Sequence, residues 1–150
     1  LVKQYSKMGV KIIGLRYFNI FGKDQTLEYA GVITKFLDRI KQNKSPIIFG
    51  DGSQIRDFIF VEDIAIANLL AMESKVENLL VNIGSGKPIT ILELANIMIK
   101  FSKLKLKPIF KSSLEGDIQK SQADITLANE NFNWKPKKMV TEWLEEILKI

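Results

Sequence analysis

The sequence predicts an α/β fold with a mixed sheet, and three observations carry that reading. Apolar runs of strand length recur along the 150 residues. Stretches with apolar residues at helical spacing alternate with them, and glycine- or proline-containing turns separate the two kinds.

Taken in order, the chain opens on Leu1-Val2-Lys3-Gln4-Tyr5, read as the last turns of a helix with Gly9 as its stop. A start other than Met is expected to mean that the natural start lies elsewhere. Residues 10–17 (VKIIGLRY) are expected as a buried strand, followed by a polar loop over 22–28. Val32, Ile33, Phe36, Leu37 and Ile40 share one face of a helix expected over 29–42. Pro46 leads into a strand over 47–49, and Gly50-Asp51-Gly52 carries turn chemistry, because glycine accepts the positive φ of tight turns. A second strand is expected over 57–61 (DFIFV). Glu62 and Asp63 then place negative charge in the first turn of a helix reaching Glu73, where the helix dipole favours it. Residues 79–83 form another apolar strand, closed by Gly84-Ser85-Gly86. Thr90-Ile91-Leu92-Glu93 has capping-box spacing and opens a helix to about Ser102. Residues 108–110 are a candidate strand, and Asp124 is read as the N-cap of a short helix reaching Asn131. Val140, Trp143, Leu144 and Ile147 form the apolar stripe of the last helix.

Composition removes whole classes of chemistry. Cysteine and histidine are absent, which excludes disulfides, thiolate metal sites, imidazole bases and the commonest metal ligand. No dense carboxylate cluster stands in for them, so no metal is expected. The most apolar stretch, residues 89–101, is interrupted by Thr90, Glu93, Asn96 and Lys100, and nothing approaches the ~18–20 residues of a membrane span. No signal-peptide pattern occurs, so a cytoplasmic setting is expected. The net charge of +5 raises a polynucleotide site as an option. Much of the excess lies in residues 100–111 and 135–138, beside prolines. The favoured reading is a set of solvated edges that attract anionic ligands, with no nucleic acid and no membrane as partner.

Three clusters offer binding chemistry. Arg16-Tyr17-Phe18-Asn19-Ile20-Phe21-Gly22 ends the first strand, and open α/β sheets bind ligands beyond the carboxyl ends of their strands. Asn19 brings donors and an acceptor suited to phosphate or sugar oxygens, and Tyr17 and Phe18 bring flat faces; equally, the aromatics are core and Asn19 caps a turn. Residues 50–63 (GDGSQIRDFIFVED) deliver Arg56 at the mouth of a strand. A guanidinium stays charged and can fork two oxygens of a diphosphate. Phe58, two residues on, is expected on the same strand face. The plain alternative is a structural Arg56–Asp57 hairpin pair. In the third cluster, Glu115-Gly116-Asp117, Asp117 can accept from ribose hydroxyls, whereas Asp124 is read only as a cap. The run Asn82-Ile83-Gly84-Ser85-Gly86 is rejected as a dinucleotide site, since no helix starts at its glycines.

The segments RYFNIFG, YAGVITKF, GDGSQIRDFIFVEDIA, NIGSGKPITILELA and EGDIQKSQADITLA, in this order and spacing, resemble the C-terminal half of extended short-chain dehydrogenase/reductase enzymes of the NAD-dependent epimerase/dehydratase family. The UDP-sugar 4-epimerases are the nearest in look. The resemblance covers nearly the whole chain. It implies a Rossmann-like domain ending at about residue 22 and a small mixed α/β substrate-binding domain over about 23–150. Catalysis in that family uses a Tyr-x-x-x-Lys pair and a glycine-rich loop, and neither occurs here. The implied parent is therefore an NAD-dependent epimerase inverting C4 through a keto intermediate. This chain is expected to be inactive alone, with NAD bound mainly by residues outside it. A 4,6-dehydratase on the same scaffold and a non-catalytic nucleotide- or RNA-binding module are the rival readings.

By the same resemblance Tyr17 and Phe18 approach the cofactor, and Asn19 the substrate's phosphate or sugar. Gly31 and Val32 touch the nucleotide, and Ile47, Ile48 and Phe49 run beside the uracil. Arg56 clamps the diphosphate, Phe58 stands where some relatives carry tyrosine, and Asp117 binds the ribose. Relatives often hold arginine three residues before that acid, where this chain has Leu114, with Lys111 or Lys120 as substitutes. The family pairs as homodimers, which is expected of the parent.

Overall fold

The computed structural model describes residues 2–23, 25 and 31–149. Six helices and eight strands follow in the order α1 (Val2–Ser6), β1 (Ile13–Tyr17), β2 (Asn19–Phe21), α2 (Val32–Lys41), β3 (Ile47–Phe49), β4 (Ile55–Arg56), β5 (Phe58–Phe60), α3 (Val61–Glu73), β6 (Leu79–Ile83), β7 (Ile89–Thr90), α4 (Ile91–Ser102), β8 (Ile109–Lys111), α5 (Thr126–Phe132) and α6 (Val140–Leu148). The strands pair two by two. β1 with β6, β2 with β5 and β3 with β8 run parallel, and β4 with β7 antiparallel. The expected mixed α/β architecture is therefore present as short ladders joined by helical crossovers.

Most elements lie where local chemistry put them, and the departures have physical causes. Gly9 takes φ 79 after α1, as a helix stop should. The strand expected over 10–17 begins only at Ile13, and Tyr17 is 44% exposed; among the described residues β1 is paired with β6 alone, which leaves it less covered than a strand inside a sheet. The helix expected over 29–42 is seen from Val32 to Lys41; residues 29 and 30 lie outside the described residues, as do 24 and 26–28 of the polar loop. The strand expected over 57–61 is displaced: Asp57 falls between β4 and β5, and Val61 already begins α3. Asp124 is not the N-cap of α5. Ile125 holds that place, and Asp124 Oδ1 accepts from Thr126 Oγ1 (2.6 Å) and Thr126 N–H (3.0 Å), which holds its carboxyl below the usual range. At α4 the expected capping box is complete: Thr90 accepts from the Glu93 amide and Glu93 from the Thr90 amide, so the Glu93 carboxyl is likewise lowered.

Two cores result. Phe21, Phe36, Ile48, Phe58, Leu94, Met98, Trp143 and Leu144 gather α2, α4 and α6 over the strands that carry Phe21, Ile48 and Phe58. Ile59, Ile64, Val81, Ile83, Phe132 and Trp134 form the second, with Ile13, Leu15 and Phe18 packed against it. Two buried acids join these cores to their loops. Asp63, 2% exposed, accepts from the amides of Lys137 and Lys138 at 3.0 and 3.1 Å, while its carbonyl accepts from Trp134 Nε1 at 3.0 Å. Asp57, fully buried, accepts on Oδ1 from Ser85 N–H (2.6 Å) and Ser85 Oγ (2.7 Å), and on Oδ2 from the amides of Gly86 (2.9 Å) and Ala123 (3.0 Å). Among the described residues no helix is long and apolar enough to cross a membrane.

The Asp57 arrangement makes two predictions. In Asp57→Asn an NH2 must face two donors whichever way the amide turns. Stability is expected to fall by about 2–4 kcal/mol, read as a lower urea midpoint at unchanged slope. Gly84 has no room for a side chain, since a Cβ there would overlap the Ala123 methyl and press on the Asp57 carboxyl. Gly84→Ala is expected to cost about 1–3 kcal/mol in the same measurement, and an unchanged midpoint would refute the close approach.

Candidate functional site

The site begins with what surrounds Asp57. β2 runs beside β5 in the register Asn19↔Phe58. The Asp57 carbonyl accepts both from the Asn19 amide (3.1 Å) and from Asn19 Nδ2 (2.9 Å). The side chain of Asn19 is thereby held, with one N–H and its carbonyl oxygen unengaged among the described residues. Facing it is the amino end of α2, where Gly31 is N-cap without a side-chain cap.

β3 ends in the turn at 50–52, where Gly50 and Gly52 take φ 77 and 80. Asp51 Oδ1 ties the turn by accepting from Ser53 Oγ (2.7 Å) and the Ser53 amide (2.9 Å), which lowers its pKa. The turn then docks on the start of α4, the amides of Ile91 and Leu92 donating to the carbonyls of Gln54 and Gly52 at 3.0 Å. β4 follows, with β7 on one flank. On its other flank lies the segment 119–121, bonded through the Ile55 amide to Gln119 (2.9 Å) and the Ser121 amide to Ile55 (3.0 Å). Laying that segment against β4 brings Asp117 to Arg56.

Arg56 Nη2 meets Asp117 Oδ1 at 2.5 Å, and Nη1 donates to the carbonyls of Ile55 (2.9 Å) and Ile118. The two charged side chains are 14% and 27% exposed. Guanidinium carries five N–H donors, so Nε–H and one Nη2–H have no protein acceptor among the described residues. That is the donor set for two oxygens of one anion. The second oxygen of Asp117 accepts from Gln54 Nε2 at 3.2 Å.

Asn19, Gly31, Val32, Ile47, Ile48, Phe49, Arg56 and Asp117 border one hollow of about 250 Å³. Eight residues that the resemblance tied to the nucleotide sugar are thus brought together, the polar groups of Asn19, Arg56 and Asp117 with the apolar side chains of β3. Leu114 lies on the same rim, so the position where relatives often hold arginine contributes only methyl groups. Neither expected substitute replaces it. Lys111 does not reach the hollow, and Lys120 borders a different one with Gln122 and Asp124.

Two expectations are corrected by the geometry, the shared face of Phe58 and Arg56 and the Arg56–Asp57 pair. Phe58 does not share a face with Arg56. The chain turns at Asp57, so Phe58 is 4% exposed in the first core and borders another hollow, beside Ile89 and Val140. Tyr17 and Phe18 also stand apart: Tyr17 donates its hydroxyl to Asn68 Oδ1 (2.8 Å) on a groove along β1 and α3, and Phe18 packs on the second core. The Arg56–Asp57 pair does not form, because Arg56 is taken by Asp117 and Asp57 by the loop amides.

Two polar residues on the wall were missed in sequence, Lys35 and Gln54. Both had a signal. Lys35 is one turn of α2 after Val32, and Gln54 precedes Arg56 by two, the spacing of a shared strand face. Lys35 pairs with no carboxylate among the described residues. As for the cofactor, the glycine-rich loop at 84–86 turns its amides onto the Asp57 carboxylate. Those amides are therefore not free to hold a phosphate.

Comparison with known proteins agrees with this geometry. Residues 1–84 match the family described as NAD dependent epimerase/dehydratase. A Methanocaldococcus jannaschii protein provisionally named UDP-glucose 4-epimerase is 38% identical over 98% of this chain and 48% of its own length. A UDP-N-acetyl-alpha-D-glucosaminuronate decarboxylase of Bacillus cytotoxicus is 32% identical over 95% of the chain and 49% of its own. The crystal structure of Thermotoga maritima UDP-glucose 4-epimerase with UDP-glucose superposes with a TM-score of 0.89 at 36% identity, over 97% of this chain and 46% of that one. The chain thus spans about half the length of the proteins it matches. With more than half of its residues inside the family match, this chain belongs to the NAD-dependent epimerase/dehydratase family.

Proposed function

We propose that this chain is the nucleotide-sugar-binding part of an NAD-dependent nucleotide-sugar 4-epimerase, with UDP-glucose and UDP-galactose as the substrate pair. The observation that carries the reading is the convergence of Asn19, Arg56 and Asp117 on one hollow. The free N–H groups of Arg56 suit a diphosphate, the apolar edge of Ile47–Phe49 suits a pyrimidine, and Asp117 retains lone pairs for ribose hydroxyls. The Thermotoga maritima neighbour, with UDP-glucose bound, supports the choice of ligand.

On this reading the residues present bind and orient. A nucleotide gripped at Arg56, Asn19 and Asp117 contributes binding energy remote from the reacting carbon, which positions the sugar without touching it. NAD supplies hydride transfer in such an enzyme. Neither Tyr-x-x-x-Lys nor a GxxGxxG loop occurs in these 150 residues, so base and cofactor contacts belong to residues outside them and the chain alone is inactive. Residues 1–22 close the dinucleotide domain, residues 23–150 hold the substrate, and the parent is a cytoplasmic homodimer.

Calorimetric titration of UDP tests the assignment. Arg56→Ala is expected to weaken UDP binding by about 1.5–3 kcal/mol, as for hydrogen bonds to a charged group. Unchanged affinity would remove Arg56 from the site. Binding of single-stranded RNA with a steep salt dependence, and none of UDP, would defeat the epimerase reading altogether.

A further inference from the structure

Gln54 is only 4% exposed, yet it borders the hollow. Its Nε2 donates to the Phe49 carbonyl at 2.7 Å and to Asp117 Oδ2 at 3.2 Å. Reversing the amide would set oxygen against oxygen at both contacts, so the orientation follows from the partners. Oε1 is then buried with no hydrogen-bond partner. An unpaired buried acceptor is costly, and packing alone would be served better by an apolar chain of the same length. The neighbouring wall is built that way, from Ile47, Ile48 and Ile91. A polar group kept there against that cost points to the site rather than to the core.

What the amide holds is specific. Asp117 sits in the long connection between β8 and α5, and it is the only carboxylate on Arg56 among the described residues. With Gln54 it has two side-chain partners, one per oxygen; without it, one. The Phe49 carbonyl anchors the same amide to the end of β3. A chain of contacts therefore runs from β3 through Gln54 and Asp117 to the guanidinium.

We propose that Gln54 is the positioning residue of this site: it fixes Asp117 and, through it, the direction in which Arg56 presents its free N–H groups to a nucleoside diphosphate. The proposal rests on reading the hollow as a nucleotide site, and it concerns a residue that acts through another.

A double-mutant cycle tests it. UDP is titrated calorimetrically into the unsubstituted protein, Gln54→Met, Arg56→Ala and the double variant, with thermal melts confirming folding. Gln54→Met is expected to weaken UDP about five- to tenfold when Arg56 is present and less than about twofold when it is absent, the non-additivity of coupled neighbours. Equal factors in both backgrounds would overturn the proposal and leave the nucleotide reading intact. No UDP binding by the unsubstituted protein would remove that reading, and this one with it. Should Gln54→Met fail to fold, Gln54→Glu carries the test. It keeps the shape and sets a carboxylate against Asp117, with Arg56 and Lys35 the cations on the same hollow. Its affinity relative to the unsubstituted protein at the same pH is expected to be poor at pH 8 and to recover by pH 5, as the introduced carboxyl takes up a proton and becomes a donor. A defect independent of pH would overturn the proposal.

Discussion

The buried carboxylate of Asp57 is the constraint from which the rest of the site follows. A charge taken out of water needs donors close to its whole surface, and four are supplied, two on each oxygen, by residues 85, 86 and 123. Those donors come from the loop after β6 and from the segment before α5, which share no sequence neighbourhood with β4 or β5. One side chain thus joins three stretches of chain, and its own carbonyl joins a fourth by holding Asn19. The alternation of the strand is broken at the same point. Arg56, just before it, stays at the rim, and Phe58, just after it, enters the core.

This arrangement explains how a loop that looks fit for phosphate serves another purpose. The consecutive amides of Ser85 and Gly86 form an anion cradle of the general kind found in phosphate loops, but the anion is internal. An internal carboxylate is always present at its cradle, whereas a ligand is not, so the loop acts as a structural clasp. On the proposed reading, an external anion is left to Arg56. Its guanidinium is held by Asp117 and by two carbonyls, and so loses little freedom when it binds. Lys35 adds a second cation to the hollow, on the wall where α2 begins, while Leu114 adds none.

How much of this was legible in the sequence depended on the range of the interactions. The capping box at Thr90 and Glu93, the turn at Gly50 and Gly52 and the strands at 47–49 and 79–83 are set by neighbours within a few residues, and they appear where local rules placed them. The grouping of Asn19, Arg56 and Asp117 came from the resemblance rather than from periodicity. What escaped was non-local. The break at Asp57 depends on donors 28 to 66 residues away. Asp63 was read as a partner of its helix dipole, and it also clasps the amides of residues 137 and 138, which no spacing rule reveals. Phe58 was placed by strand alternation, a rule that fails when a residue between turns inward. Lys35 and Gln54 had usable spacing and were passed over because lysine and glutamine are ordinary on solvated faces.

The basic character of the chain also becomes intelligible through packing. Between α4 and β8, Lys103, Lys105 and Lys107 are exposed, while Leu104 and Leu106 pack against the first core. The lysine-rich run is the outward half of an alternating segment whose inward half closes the domain, so burial of the leucines accounts for the spacing of the charges. None of these lysines borders the hollow, and their effect on an anionic ligand is confined to the long-range field, which salt screens within roughly 10 Å. Contact at the hollow is left to Arg56 and Lys35. On the proposed reading, recognition of charge is divided between a diffuse basic surface that attracts and one anchored guanidinium that orients, and only the second depends on the clasp at Asp57.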